Sequence, residues 1–317
     1  MNKIKVMVTT HPFGSVNDLP KKMLSNFDVF YNDVGRKYSA EELKERLYKF
    51  MPDVIIAGTE KYTPDILNNL PNLKMISRVG IGLDSVPLDI CKEKGIVVTY
   101  TPDAPSNAVA ELVICQMFNM LRKTQVCDAA IRQGKWSRFI GREIRSCDVG
   151  IIGCGRVGKL VADKMQGLKP RRVFVNDIIP EKALNLQRCE IASKAQILSD
   201  CDIITIHIPY NDQNHNFICK KDFDIMKKNS IIINMSRGGI VNEEDLFNFL
   251  SENEEASAAI DTYLDEPYAG KLLSLSNAYL TPHLGSCTKM SRNMMEVGSA
   301  EEAVNFISGE SMSNRVV

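Results

Sequence analysis

The sequence has no excess charge of either sign, with 39 Lys plus Arg against 39 Asp plus Glu. A surface built to hold a polyanion carries a basic surplus, so the balance argues against a dedicated nucleic-acid binder. No apolar run approaches the roughly 18 residues of a membrane span. The opening segment from Met1 to Val8 is too short and too alternating for a signal peptide, and it predicts a strand. Cysteine is present nine times but without C-x-x-C pairs and in odd number. Scattered thiols of this kind predict a reduced, cytoplasmic protein with neither a disulfide framework nor a metal site. Several catalytic signatures are also missing. There is no G-x-S-x-G for a serine hydrolase, no H-E-x-x-H for a zinc protease, and no P-loop.

What is present is a regular alternation of short apolar strands and helices over a chain of 317 residues, long enough for about two domains. Strands are predicted at Ile4–Val8, Val54–Ala57, Met75–Ser77 and Ile96–Val98. Helices are predicted at Ala40–Phe50 behind a Ser39 cap, Pro64–Leu70 and Val86–Lys94. Strands this short and this uniformly apolar are those of parallel sheets buried on both faces. A proline-rich break, Thr101-Pro-Asp-Ala-Pro-Ser-Asn107, precedes a long apolar helix over Ser106–Arg122. The strand series then resumes at Asp148–Ile152, Val173–Asn176, Asp202–His207, Ser230–Met235 and Ala256–Ile260, with a helix at Asn242–Leu250 and a last one over Ser286–Ser308. The fold class expected is therefore α/β, built as two doubly wound parallel-sheet units.

After the strand at 148–152 comes Gly153-Cys154-Gly155-Arg156-Val157-Gly158, opening a helix. In that context the first glycine permits the tight turn and the second lets backbone approach a pyrophosphate. The third packs helix on strand, and the helix N-terminus favours the anion. A following strand ends in Asp177, where a carboxylate can accept from both adenosine ribose hydroxyls and repel a 2′-phosphate. NAD is expected over NADP, although Arg171 and Arg172 lie just upstream and are expected to begin the strand facing solvent. Cys154 is small enough for the loop. His207, in His-Ile-Pro after a strand, could line the same pocket.

Three later segments carry chemistry: Asn234-Met-Ser-Arg237-Gly, Asp261-Thr-Tyr-Leu-Asp-Glu266-Pro, and Thr281-Pro-His283-Leu-Gly. Arg237 follows a strand at its carboxyl end, where α/β sites collect, and a guanidinium there can pair with a carboxylate and polarise a carbonyl. Glu266 precedes Pro267 and His283 follows Pro282, so the backbone around both side chains is restricted. A carboxylate beside an imidazole fixes its tautomer and readies it for proton transfer near neutral pH. His11 and His215 sit in polar, turn-like sequence and are expected to do nothing.

These motifs, with Ser77-Arg-Val-Gly-Ile-Gly-Leu-Asp84, Val109-Ala-Glu-Leu112 and Gly134-Lys-Trp136, resemble the D-isomer-specific 2-hydroxyacid dehydrogenase family over nearly the whole length, and its phosphoglycerate dehydrogenase-like branch in particular. The resemblance implies a flavodoxin-like substrate domain and a Rossmann cofactor domain with a cleft between them. The last helix would fold back onto the first domain, giving 1–100 plus 286–317 and 101–285. Arg237, Glu266 and His283 would be catalytic, His283 as the acid/base and Glu266 as its partner. Gly153, Gly155, Arg156, Val157, Gly158, Asp177, His207, Ile208, Met235, Ser236, Asp261 and Ile81 would surround NAD, Asp261 meeting the carboxamide. The backbone amides near Val79 and Gly80 would hold the substrate carboxylate, together with Arg237 and His283. Family members are usually dimers, with Trp136 and the nearby helix in the interface.

The implied reaction exchanges a hydride between NAD and the carbonyl carbon of a 2-oxo acid, and its reverse oxidises a D-2-hydroxy acid. A phosphoglycerate dehydrogenase-like activity is expected first. Lys61 and Arg138 are the candidate cations for a substrate phosphate, though ordinary solvated charges is the simpler expectation for both. Ala57 stands where animal-type phosphoglycerate dehydrogenases carry an arginine, and no C-terminal regulatory domain is expected, so a glyoxylate or hydroxypyruvate reductase is the alternative. An NAD-sensing, corepressor-like interaction protein is the alternative of another class, disfavoured by the lack of a long disordered tail or basic region.

Overall fold

The structure is a computed structural model that describes residues 3–182 and 186–317; Met1 and Asn2 of the opening segment and residues 183–185 lie outside it. The chain divides into two compact units, Met1–Pro105 with Cys287–Val317 and Ser106–Ser286. The boundaries expected at 100/101 and 285/286 thus move to 105/106 and 286/287. The first shift has a local cause. Thr101 exchanges hydrogen bonds with Gly80, its amide donating to the Gly80 carbonyl at 3.0 Å and its Oγ1 accepting from the Gly80 amide at 2.8 Å.

The first unit is a parallel sheet of β1 (Lys5–Val8), β2 (Asp28–Tyr31), β3 (Val54–Ala57), β4 (Met75–Arg78) and β5 (Val97–Thr99) in the order β2-β1-β3-β4-β5. That is the flavodoxin-like order, with its direction of winding reversing between β1 and β3. Strand β2 is absent from the sequence reading because its Asp28-Val-Phe-Tyr run sits at the sheet edge and is only half-buried. The helix Ala40–Phe50 starts where the sequence places it, behind a capping box in which the Ser39 and Glu42 side chains each take the other's backbone amide. The helix Lys289–Ser308 belongs here too. Its Met295, Ala300 and Ala303 pack against Val6, Val8, Val54 and Ile56, and Ser77 Oγ donates to the Ser299 carbonyl at 2.8 Å.

The second unit is a parallel sheet of β6 (Asp148–Ile152), β7 (Arg172–Asn176), β8 (Glu190–Ile191), β9 (Ile203–Ile206), β10 (Ile231–Asn234), β11 (Ser257–Ile260) and β12 (Ala278–Leu280). Its order is β12-β11-β10-β9-β6-β7-β8, so the reversal falls between β6 and β9. Alternate residues feed two cores, as a strand period of two requires. Val149, Ile151, Val175, Ile203 and Ile233 face one, with Val113 and Met117 of the helix Ser106–Arg122; Ile152, Phe174, Ile204, Ile206 and Ile232 face the other. At the amino ends of β6 and β7 the buried Asp148 accepts from both Arg171, Oδ2···Nη2 2.5 Å, and Arg172, Oδ2···Nη2 2.8 Å. The two arginines do not simply face solvent as expected.

Candidate active site

The glycine loop joins β6 to the helix Arg156–Leu168 at the β6/β9 reversal, the place where a parallel sheet opens a crevice. Each glycine has a separate reason. Gly153 holds φ +95°, where side chains are strained, and a Cβ there would press on the His207 carbonyl and on Ile208. A Cβ on Gly158 would lie 1.8 Å from the Gly153 carbonyl oxygen, so helix and strand could not close. Around Gly155 the reverse holds, since nothing lies within 4 Å of where a Cβ would stand. The backbone there faces open space, and the helix begins at Arg156 without a side-chain cap from Gly155. A pyrophosphate fits that cradle.

Asp177 follows β7 and binds the loop to it. Its Oδ2 accepts from the Cys154 amide at 2.7 Å and its Oδ1 from the Ile179 amide at 2.9 Å. The remaining lone pairs are available to ribose hydroxyls. Arg171 and Arg172 are held on Asp148 at the opposite end of the strand, so they do not offer a seat for a 2′-phosphate. Cys154 is buried and its thiol is pushed up to about 11, which keeps it protonated and inert. His207 follows β9, with Nε2 2.9 Å from Thr205 Oγ1. Burial pushes its ring down to about 3, so it is a neutral wall rather than a charge. Met235 packs its side chain in the core, so a ligand there would meet its backbone. Ser236 is half-buried, its Oγ donating to the Ile206 carbonyl at 2.6 Å.

The three chemical segments meet within this unit. Asn234 ends β10 and shapes the turn after it, accepting from the Ser236 amide at 3.1 Å and donating to the Arg237 carbonyl at 2.9 Å. Arg237 is half-buried, with Nη1 donating to the Ser236 carbonyl at 2.7 Å. The next residue has no room for a side chain, because a Cβ on Gly238 would fall 2.0 Å from the Tyr263 carbonyl oxygen. That close approach seats the Arg237 turn against the 261–266 segment.

Asp261 follows β11 and is fully buried. It gathers the loop that carries the imidazole: Oδ1 accepts from Thr281 Oγ1 at 2.6 Å and the Leu284 amide at 2.7 Å, and Oδ2 from the Gly285 amide at 2.8 Å. Three of its roughly four acceptor directions are therefore used inside the protein, which adds an anchoring role to the cofactor contact the sequence suggests. Burial pushes its carboxyl up, and the Thr281, Leu284 and Gly285 donors pull it back. The His283 amide donates to the Asp261 carbonyl at 2.9 Å, and the residue sits at φ +54°. A left-handed, non-glycine residue costs roughly 1–2 kcal/mol, a strain that persists where the surroundings over-determine it.

Glu266 accepts from the Tyr263 amide at 3.2 Å and turns both oxygens to His283 Nδ1, at 3.1 and 3.0 Å. A carboxylate only accepts, so Nδ1 carries the proton and Nε2 is the atom left to exchange one. Tyr263 was not singled out from the sequence. Its hydroxyl, 2.9 Å from the Ile260 carbonyl and 3.0 Å from that of Thr281, ties the acid and imidazole segments together.

Val79, Gly80 and Ile81 belong to the first unit, in the turn after β4. The amides of the first two, in the stretch expected to hold a substrate carboxylate, have partners within this unit. Val79 N–H donates to the Ala57 carbonyl at 2.9 Å, continuing the sheet, and Gly80 N–H donates to Thr101 Oγ1. Lys61 and Arg138 are exposed. Among the described residues no group of three or more His, Cys, Asp or Glu could hold a metal ion, and no helix is long and apolar enough to cross a membrane.

Residues 114–285 match the D-isomer specific 2-hydroxyacid dehydrogenase, NAD binding domain, family. The chain is similar to a D-3-phosphoglycerate dehydrogenase of Methanocaldococcus jannaschii, 31% identical over 90% of this chain, but spans only 55% of that relative's length. It is also similar to a glyoxylate reductase of Thermococcus litoralis, 30% identical over 81% of each chain. Among solved structures it resembles a phosphoglycerate oxidoreductase from Vibrio cholerae, with TM-score 0.83 and 28% identity over 98% of this chain and 100% of that one. The fold is shared with a D-lactate dehydrogenase from Aquifex aeolicus complexed with NAD and lactic acid, at TM-score 0.86 and 23% identity over 99% of each chain.

Proposed function

The chain belongs to the D-isomer specific 2-hydroxyacid dehydrogenase family, and from that premise we propose that it interconverts a D-2-hydroxy acid and a 2-oxo acid with NAD. The observation that carries the proposal is the His283–Glu266 pair on a loop gathered by Asp261, beside the Arg237 turn.

NAD supplies the hydride chemistry when bound. The protein's own part is proton transfer, charge placement and orientation. His283 gives a proton from Nε2 to the carbonyl oxygen in reduction and takes it back in oxidation, with Glu266 fixing the tautomer and stabilising the imidazolium between the two. Arg237 pairs with the substrate carboxylate and offsets negative charge developing on the reacting oxygen. Asp177 selects an unphosphorylated ribose, and the amides of Arg156 and Val157 hold the pyrophosphate.

The protein is proposed to act as a homodimer. The segment 133–140 is exposed throughout, with Trp136 at 81% exposure and Ile140 fully exposed, and the helix Thr124–Arg132 buries none of its residues. An exposed apolar surface of that kind is what a second copy covers.

The test is NADH oxidation by the purified protein with glyoxylate, hydroxypyruvate, phosphohydroxypyruvate, pyruvate and branched 2-oxo acids. Turnover of at least one of them is expected. No turnover of any would overturn the dehydrogenase reading and favour a protein that only senses NAD.

A further inference from the structure

The His283–Glu266 pair does little to hold its own geometry. The two side chains are 39% and 35% exposed, and an ion pair open to water contributes little to placing the groups that form it. His283 also keeps a left-handed φ, which persists under constraint from its surroundings. A buried residue beside the pair supplies such a constraint. Tyr263 is 8% exposed and meets all three catalytic segments of the second unit.

The Tyr263 amide donates to Glu266 Oε1 at 3.2 Å, and its carbonyl is the group against which Gly238 closes, one residue after Arg237. Its hydroxyl stands 2.9 Å from the Ile260 carbonyl and 3.0 Å from that of Thr281, bridging the ends of β11 and β12. The ring is stacked on Tyr268, with centroids 4.4 Å apart, which holds the hydroxyl in that bridge. A phenol has one proton for the two carbonyls. The Ile260 carbonyl already takes the Thr281 amide at 3.0 Å. The Thr281 carbonyl belongs to a peptide that has no N–H, because Pro282 supplies its nitrogen, so this oxygen is the one polar handle of that peptide. Burial, with the Asp261 carboxylate nearby, pushes the Tyr263 hydroxyl well above its ordinary range, so it stays a donor.

We propose that Tyr263 is a positioning residue for proton transfer: its hydroxyl holds the Thr281–Pro282 peptide and through it sets the imidazole of His283 against Glu266. The inference rests on the dehydrogenase reading above, which gives His283 a proton to move. Asp261 grips the same loop beyond the imidazole, through the Leu284 and Gly285 amides, and Tyr263 grips it ahead of the imidazole. Without the hydroxyl the Asp261 grip remains, so the loop stays attached while the ring loses its register on the carboxylate. A misplacement of about 1 Å at a reacting group is enough to lower a rate ~100-fold.

The experiment is a double-mutant cycle. Tyr263→Phe deletes one oxygen and keeps the stacked ring. It is compared with wild type, His283→Ala and the double variant for kcat and KM, using NADH and the 2-oxo acid turned over fastest. Tyr263→Phe is expected to lower kcat about tenfold or more in the wild-type background and not at all where His283 is already alanine, with NADH affinity by calorimetry unchanged. A loss that agrees within about twofold between the two backgrounds, nil included, overturns the proposal, because a residue that only supports the fold is felt with or without the imidazole. If Tyr263→Phe melts below the assay temperature, Tyr268→Leu takes its place in the cycle under the same criterion, since it removes the ring stacked on Tyr263. Absence of turnover with every 2-oxo acid would instead count against the dehydrogenase reading. The ring tautomer then decides the role of Tyr263. The chain has four histidines, so in protein with nitrogen-labelled histidine the His283 ring is identified by its disappearance in His283→Ala. Neutral His283 is expected to carry its proton on Nδ1 in wild type and to mix both tautomers in Tyr263→Phe or Tyr268→Leu; an unchanged tautomer overturns the proposal.

Discussion

His283 Nδ1 is shared between the two oxygens of Glu266, 3.0 Å from one and 3.1 Å from the other. The pair fixes the ring tautomer, with the proton of Nδ1 held on the carboxylate. His283→Ala is expected to lower kcat by roughly 10²–10⁴-fold, the usual worth of a positioned acid/base. NAD affinity, measured by protein fluorescence or calorimetry, should change little. Glu266→Gln should retain geometry and lose part of the rate, because the imidazolium loses its counter-charge. Near-normal turnover in His283→Ala would remove the assigned acid.

The glycine loop separates fold from binding. Gly155→Ala is expected to melt close to wild type, since a Cβ there meets nothing within 4 Å, yet to lose most NAD affinity because the methyl occupies the pyrophosphate seat. Gly158→Ala should fail at the level of folding, its Cβ lying 1.8 Å from the Gly153 carbonyl oxygen. Equal NAD binding in Gly155→Ala and wild type would mean that no pyrophosphate approaches there.

Asp177 should set the cofactor. Asp177→Ala is expected to raise KM for NAD about tenfold and to shrink the preference for NAD over NADP by a similar factor, as roughly 1.4 kcal/mol of ribose hydrogen bonding and repulsion is lost. The ratio of kcat/KM with the two cofactors is the measurement. An unchanged ratio takes Asp177 out of the ribose site.

Acid should weaken the second unit in two windows. The His207 ring is about 3 folded against an ordinary value of about 6.5, so the unfolded chain holds the extra proton between them. Its contribution is complete above pH ~6.5 and is lost as pH falls from there. Arg171 and Arg172 hold the Asp148 carboxyl well below the usual carboxylate range, so its contribution is complete above pH ~4 and is lost below that. Melting temperatures between pH 7 and 5 should therefore fall more steeply for wild type than for His207→Asn. Parallel slopes would discount His207. Asp148→Asn should cost about 2–3 kcal/mol at pH 7, a figure reduced because both arginines are half exposed.

The exposed arm tests the assembly. Trp136→Glu with Ile140→Asp should convert a dimer to a monomer in sedimentation while leaving the melting of each unit nearly unchanged, because neither side chain is packed in its own chain. A wild type that already sediments as a monomer would dispose of the dimer.

What the sequence by itself determined was whatever local periodicity and order carry. The buried strands Val54–Ala57 and Asp148–Ile152 and the helices Ala40–Phe50 and Ser106–Arg122 fall where their apolar runs and caps put them. The glycine spacing, with an acid at the end of the next strand, was legible because close backbone approach requires Gly153 and Gly158, while Gly155 between them leaves space open. The edge strand Asp28–Tyr31 was not legible, since a half-buried edge lacks the apolar run that marks a core strand. Only the tertiary structure decided who meets whom. It turned the Val79 amide to the Ala57 carbonyl and the Gly80 amide to Thr101 Oγ1, and it sent Arg171 and Arg172 to Asp148. It also gave Asp261 the anchoring of the imidazole loop, and placed Glu60 beside Thr9 from 51 residues away. A hydrogen-bonding group takes the nearest partner in space, and nearness between strands that are far apart in the chain is set by sheet order, which no local pattern in the residues records.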